Sequence, residues 1–233
     1  MKITVRKSGD RGHADHGWLR SQHTFSFADY YDPAHMGFRS LRVINEDFVA
    51  PGGGFPTHPH RDMEIFSFIV EGSLAHQDSM GHGRVLEPGQ IQLMSAGRGV
   101  THSESNPSQT VPVHLLQIWI QPDKPGLKPG YTEWHPNAAS DSTAKVLVIS
   151  PDGREDSAII HQDADVYRVR LRPGDFVTHG VLTGRGVWFQ LIEGRVDINE
   201  MPLVAGDAAS TDDGGMLTIT ASEDAEALLF DLA

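Results

Sequence analysis

The chain has no cysteine. Disulfides and thiolate ligands are therefore excluded, and any bound metal must be held by nitrogen and oxygen. No apolar run approaches the roughly 18 residues that a membrane-spanning helix needs. The start, Met1-Lys-Ile-Thr-Val-Arg-Lys-Ser-Gly-Asp10, lacks the apolar stretch of a signal peptide. A cytoplasmic protein without a membrane partner is the expectation. Basic residues are scarce, 19 against 31 acidic ones, for a net charge of −12. Phosphate backbones attract Lys and Arg, so direct nucleic-acid binding is disfavoured. Long segments with a helical apolar period are also missing, which leaves little room for helices.

What is present is strand-forming. Apolar residues make up 39% of the 233, enough for a packed core. That length suits one large all-β domain or two domains of roughly a hundred residues each. Ile3-Thr4-Val5, Ser40 to Phe48, Ile65 to Val70, Gly89 to Met94 and Val113 to Ile120 read as strands, rich in β-branched or aromatic residues and bounded by turn formers. In the second half Val166 to Leu171, Val187 to Ile192, Arg195 to Ile198, Met216 to Thr220 and Ala227 to Leu232 read the same way. Many short strands separated by Gly and Pro turns indicate a sandwich or barrel. Gln121 to Gly130 is rich in Pro and Gly, and Asn137 to Thr143 is small and polar. The expected boundary lies here, giving domains 1–134 and 135–233. Arg172-Pro-Gly-Asp175 echoes Glu87-Pro-Gly-Gln90, which suggests two copies of one barrel.

The stretch from Gly52 to Glu64 carries His58 and His60. Residues two apart on a strand share a face, so both imidazoles can reach one point in space. Further along, His102, Glu104 and Asn106 alternate in the same way. Three neutral imidazoles and a carboxylate suit a divalent transition ion with a position left for water or substrate. Glu64 follows His60 by four residues, so an unbroken strand would put it on the same face. Glu64 and Glu104 both qualify as the oxygen ligand. The remaining histidines read as less central. His76 and His82 flank the turn at Asp78 and are expected at the surface. His114 opens a strand and is expected to hydrogen-bond at the barrel edge. His161 falls in the second barrel and is expected to fix domain packing, and His179 alone cannot make a site there. The aromatic stretch His16 to Pro33 reads as packing over one barrel end, with His23 or Phe25 the residues that would approach a pocket.

His-x-His-x-x-x-Glu, here His58, His60 and Glu64, followed by Gly-x-x-His-x-x-x-Asn, here Gly99, His102 and Asn106, resembles the signature of the cupin superfamily. The interval from Glu64 to Gly72 is one residue longer than the usual form. Within cupins the chain resembles the pirin family over nearly its whole length, the bacterial pirin-like quercetinases in particular. The resemblance rests on His23-Thr-Phe-Ser-Phe27, Tyr31-Asp-Pro33, Phe55 to Glu64, Asp78-Ser-Met-Gly81, Met94-Ser-Ala-Gly-Arg-Gly99, His102-Ser-Glu104 and His114-Leu-Leu-Gln-Ile-Trp119.

That resemblance implies an all-β bicupin, two antiparallel β-barrel or jelly-roll domains in tandem, with metal in the first barrel alone. It implies His58, His60, His102 and Glu104 as ligands, and makes Glu64 a supporting residue that steadies a ligand histidine or a water. One divalent transition ion per chain is expected, iron before zinc, manganese, nickel, cobalt or copper. The implied activity is that of a metal-dependent dioxygenase, quercetin 2,3-dioxygenase-like, which opens the flavonol ring of quercetin with O2 and releases carbon monoxide. Glu104 is the first candidate base and Glu64 the second. Partners would be the flavonol and O2. A flat substrate calls for aromatic walls, with Phe55, Phe66 and Phe68 as candidates. The alternative from the same resemblance is a metal-bound regulator that binds a protein partner and responds to redox state. A deep pocket beside the metal favours the enzyme, and a sealed site favours the regulator.

Overall fold

The computed structural model describes residues 1–233. Strands account for almost all of the regular structure, and the one α-helix is a single turn, Ala138–Asp141. No helix is long and apolar enough to cross a membrane. The chain divides into two compact units, Gly12–His135 with Ala158–Gln162, and Met1–Arg11 with Pro136–Ser157 and Asp163–Ala233.

The first unit is built from two antiparallel sheets. The larger has seven strands in the order Gly130–Trp134, Ile91–Ser95, Glu64–Glu71, Val113–Ile120, Leu41–Val49, Leu19–His23 and Gly12–Asp15. The smaller has four, Gly54–His60, Val100–Ser105, Leu74–Asp78 and Gly83–Leu86. The apolar-rich segments Glu64–Glu71 and Val113–Ile120 take interior positions, where Phe66, Phe68, Ile69 and Ile118 are fully buried. Gly54–His60 carries Pro56 and Pro59, which cannot donate to a ladder. It lies at the edge of its sheet, the place where proline is tolerated.

The second unit repeats this plan. Its larger sheet runs Thr4–Arg6, Ala208–Thr211, Gly186–Glu193, Ala225–Leu232, Ala164–Leu171, Lys145–Ser150. Its smaller sheet runs Phe176–Val181, Gly215–Ala221, Arg195–Ile198, Met201–Val204. The structural match to the Glu87 turn is not Arg172-Pro-Gly-Asp175. It is Val204-Ala-Gly-Asp207. Gly89 N–H donates to Ile69 O and Ile69 N–H to Gln90 O, just as Gly206 N–H donates to Leu191 O and Leu191 N–H to Asp207 O. Both glycines have positive φ, +79° and +82°. Arg172–Asp175 is a similar turn elsewhere in the repeat, since many strand connections share Pro-Gly chemistry.

The first eleven residues depart from the expected division at 134/135, because they belong to the second unit. Thr4, Val5 and Arg6 pair with Ser210, Ala209 and Ala208. Lys7 Nζ and Ser8 N–H both reach the Asp207 carboxylate, at 2.9 and 2.8 Å. Thr4–Arg6 takes the sheet position that Gly130–Trp134 holds in the first unit. A three-residue strand does not encode which of two like sheets it joins. The Asp207 anchor decides it.

A three-histidine cluster and its polar floor

The two ligand-bearing strands of the first unit, Gly54–His60 and Val100–Ser105, pair antiparallel with His58 opposite His102 and His60 opposite Val100. Their close approach needs Gly54. A Cβ there would lie 2.5 Å from Glu104 O and 2.6 Å from Ser105 Cα. The rings of His58, His60 and His102 form a tight triangle with centroid separations of 4.8, 4.5 and 4.8 Å. His58 Nδ1–H donates to Pro56 O at 2.8 Å, so its Nε2 carries a lone pair. That Nε2 stands 3.1 Å from His102 Nε2.

The His102 tautomer is set from behind. Gln92 Nε2–H donates to His76 Nδ1 at 2.9 Å, and His102 Nδ1 stands 3.4 Å from the same atom. A proton on His102 Nδ1 leaves its Nε2 free as well. Two facing lone pairs call for a cation between them. Metal–nitrogen bonds of about 2.0–2.1 Å set at right angles span about 3 Å, so the spacing fits one ion. Burial and neighbouring imidazoles push His60 down to about 4 and His102 down to about 3. Both rings are neutral at ordinary pH, the form in which histidine ligates.

Glu104 is reached through a β-bulge, since His102 pairs with His58 while Glu104 pairs with Phe55. Its carboxyl joins His102 and His76 in a group whose ligand atoms lie within 4.8 Å of one another. His58 and His60 form the other such group with His102. Gln117 Nε2–H donates to Glu104 Oε2 at 2.7 Å, and Ser67 Oγ lies 3.1 Å from Oε1. Ser67 Oγ also lies 2.8 Å from Gln117 Oε1. A hydroxyl has one proton. With Glu104 ionised, Ser67 donates to it; with Glu104 protonated, the carboxyl donates to Ser67 and Ser67 to Gln117. The ring of three side chains therefore accommodates both states. Burial pushes Glu104 up to about 7, against the pull of the Ser67 and Gln117 hydrogen bonds.

Ser67 and Gln117 belong to a row of direct cross-strand neighbours on the inner face of the larger sheet: Gln92, Ser67, Gln117, Asn45 and His23. The matching row of the second unit is Ala209, Phe189, Leu229, Tyr167 and Leu147. One barrel has a polar floor where the other has packed apolar side chains. In the second unit's smaller sheet, His179 sits opposite Leu217. His179 Nε2–H donates to Asp231 Oδ2 at 2.8 Å, and that carboxylate also accepts from Arg185. This histidine is committed to an ion-paired network.

Several expected roles change. Glu64 does not face the cluster. The strand carrying His60 ends there, Asp62 has φ +50°, and Glu64 begins a new strand in the other sheet. Ser67, three residues on, faces Glu104, so alternation turns Glu64 to the opposite face. Its Oε2 accepts from Ser95 Oγ at 2.7 Å and from His161 N–H at 3.3 Å. Neither the supporting role nor the base role fits that placement. Phe66 and Phe68 share the parity of Glu64 and are core residues. His161, expected in the second barrel, packs in the first unit against Ser95. His76 is 3% exposed rather than superficial. His82 keeps an exposed ring and pairs with Asp78 at 2.9 Å. His114 pairs with Glu46 at 3.0 Å. Asn106 ties loops together, donating to Val49 O and Val111 O.

A cavity of about 390 Å³ opens on this site. His58, His60 and Glu104 line one part of it. Phe55, as expected, and Phe27, Tyr30 and Trp119 supply aromatic wall. The N-terminal stretch is therefore more than packing: Leu19–His23 is a strand of the larger sheet, and His23 lines the cavity while Phe25 is buried away from it. Asp47, which no motif marks, also lines the cavity, and burial pushes it up to about 7.

Residues 4–120 match the Pirin family, and residues 147–232 match the quercetinase C-terminal cupin domain. A quercetin 2,3-dioxygenase of Escherichia coli strain K12 is 47% identical over 230 residues, covering 99% of this chain and 98% of that protein. The crystal structure of YhhW from Escherichia coli superposes with a TM-score of 0.96 at 47% identity, covering 100% of this chain and 98% of that one. A structure of bacterial pirin YhhW in complex with nickel(II) gives 0.94 at 46% identity, covering 99% of each chain. Two barrels of one plan, a histidine cluster in the first alone and full-length similarity of this order leave one assignment: the chain belongs to the pirin family.

Proposed function

We propose that the chain is a metal-dependent dioxygenase, quercetinase-like, which opens the flavonol ring with O2 and releases carbon monoxide. The observation that carries this reading is the cavity. It reaches His58, His60 and Glu104 directly and is walled by aromatic rings. A site sealed from solvent was the mark of the regulatory alternative, and no such seal is found. The volume of about 390 Å³ falls in the about 300–1,000 Å³ range of small-molecule sites. The name carried by the 47% identical relative supports the same reaction.

In this reading His58, His60 and His102 hold one divalent transition ion and Glu104 adds the oxygen donor. Nickel in the structure of a relative supports a divalent ion, and a set of three nitrogens and one oxygen also accommodates iron. When bound, the ion supplies Lewis acidity that lowers the pKa of an enolic hydroxyl. Glu104 takes the hydroxyl proton. Its ring with Ser67 and Gln117 has an arrangement that accommodates the proton. Phe27, Tyr30 and Trp119 orient the flat rings and keep bulk water from the reacting carbon.

The test is reconstitution of metal-stripped protein with single divalent ions without oxygen, then admission of air to quercetin. Loss of the flavonol absorbance band with release of carbon monoxide is expected for at least one ion. No loss with any ion would reject the enzyme reading.

A further inference from the structure

Asp47 is the buried group that this chemistry leaves unused. It is 4% exposed and lines the cavity, and its Oδ1 has no hydrogen-bond partner. Ser21 is directly opposed to Asp47 on the neighbouring strand, so its hydroxyl faces the carboxyl. A buried acceptor without a donor costs stability, and one that lines a cavity can be satisfied by a donor on a ligand. The fold itself does not require it. By the register that matches Asn45 to Tyr167, the residue of the second unit in this place is Val169, part of the apolar core.

The surroundings limit what the donor is. No Lys or Arg lines the cavity, while Asp29, Asp47 and Glu104 do. Such a lining has no ammonium or guanidinium to pair with a carboxylate or phosphate away from the metal, and its acids accept from hydroxyl donors. The aromatic walls select a flat ring to carry them. Asp47 is also set off from the metal side. Glu104 is held over Gln117, whose direct partner is Asn45, so Asp47 is the diagonal neighbour, about 7–8 Å along the sheet. One rigid polycyclic molecule can present an oxygen to the histidine cluster and a second hydroxyl to Asp47.

We infer that Asp47 accepts a hydrogen bond from a phenolic hydroxyl of the substrate, remote from the metal-facing oxygen, and thereby selects polyhydroxylated flavonols over bare ones. The inference rests on the flavonol reading above and adds a specificity residue to it.

The experiment measures binding without oxygen, by quenching of tryptophan fluorescence, on metal-loaded protein. The ligands are quercetin and 3-hydroxyflavone, which has only the ring hydroxyl that faces the metal. Wild type is expected to bind quercetin at least about tenfold more tightly, the factor a hydrogen bond to a charged group supplies. Asp47→Leu is expected to lose that preference while binding 3-hydroxyflavone within about twofold of wild type. Asp47→Asn, which keeps an acceptor oxygen, is expected to fall between. A wild type that binds both alike or binds neither, a preference that survives Asp47→Leu, or equal weakening of both ligands would overturn the inference. Turnover in air is scored separately. Preference lost in Asp47→Leu with neither flavonol consumed by wild type would uphold the specificity role and reject the dioxygenase reading. Consumption by wild type with the preference intact in Asp47→Leu would do the reverse.

Discussion

Nε2 of His58 and Nε2 of His102 face one another at 3.1 Å, and a hydrogen bond from His58 Nδ1 to Pro56 O fixes the lone pair on one of them. The contact is repulsive unless something positive lies between, so the strands must hold the rings together against it. The pairing of His58 with His102 and the glycine at position 54 do so.

Gly54→Ala places a methyl group within 2.5 Å of Glu104 O, and the two strands must separate to admit it. Metal affinity should fall by about tenfold or more, as for other changes that disturb ligand orientation. Titration against a competing chelator checks this. Unchanged affinity would mean that the strand spacing is not what positions the histidines.

Asp47 should cost stability in a pH-dependent way. Burial pushes its carboxyl up to about 7, while an unfolded aspartate titrates near 3.9. Between these values the unfolded chain releases a proton that the folded chain keeps, so this group's contribution to stability falls as pH rises. Asp47→Asn has no charge to bury. Its unfolding free energy should match or trail that of wild type near pH 4 and exceed it near pH 8, by on the order of 4 kcal/mol at most. An advantage that does not grow across that range would contradict the assignment.

Phe189 fills the second barrel at the position Ser67 holds in the first, and it is 1% exposed. Phe189→Ala should destabilise the second unit by about 3–5 kcal/mol. Metal content per chain should not change. Calorimetric unfolding beside elemental analysis separates the two effects, and loss of metal would show that the apolar barrel also maintains the site.

Much of this was legible in the residues. His58 and His60 announce a shared face by spacing alone, and the β-branched runs such as Val113 to Ile120 announce interior strands. Glu64 was not legible, because spacing does not show that the chain turns at Asp62 and re-enters a different sheet. Asp47 was hidden inside Ser40 to Phe48, which reads as a strand with no motif to mark it. Strand alternation sends Glu46 outward to His114 and Asp47 inward, but which acid goes which way is fixed by register with Ser21 and Leu115 across the sheet. His76 was missed for a related reason: burial there depends on packing against Gln92 and His102, both distant in sequence.

The most direct test of the metal centre is elemental analysis of protein purified without a metal-binding tag. Wild type should carry about one divalent transition ion per chain, and His58→Ala/His60→Ala should carry none while retaining its circular-dichroism spectrum. A stoichiometric ion in the folded double variant would contradict the three-histidine centre.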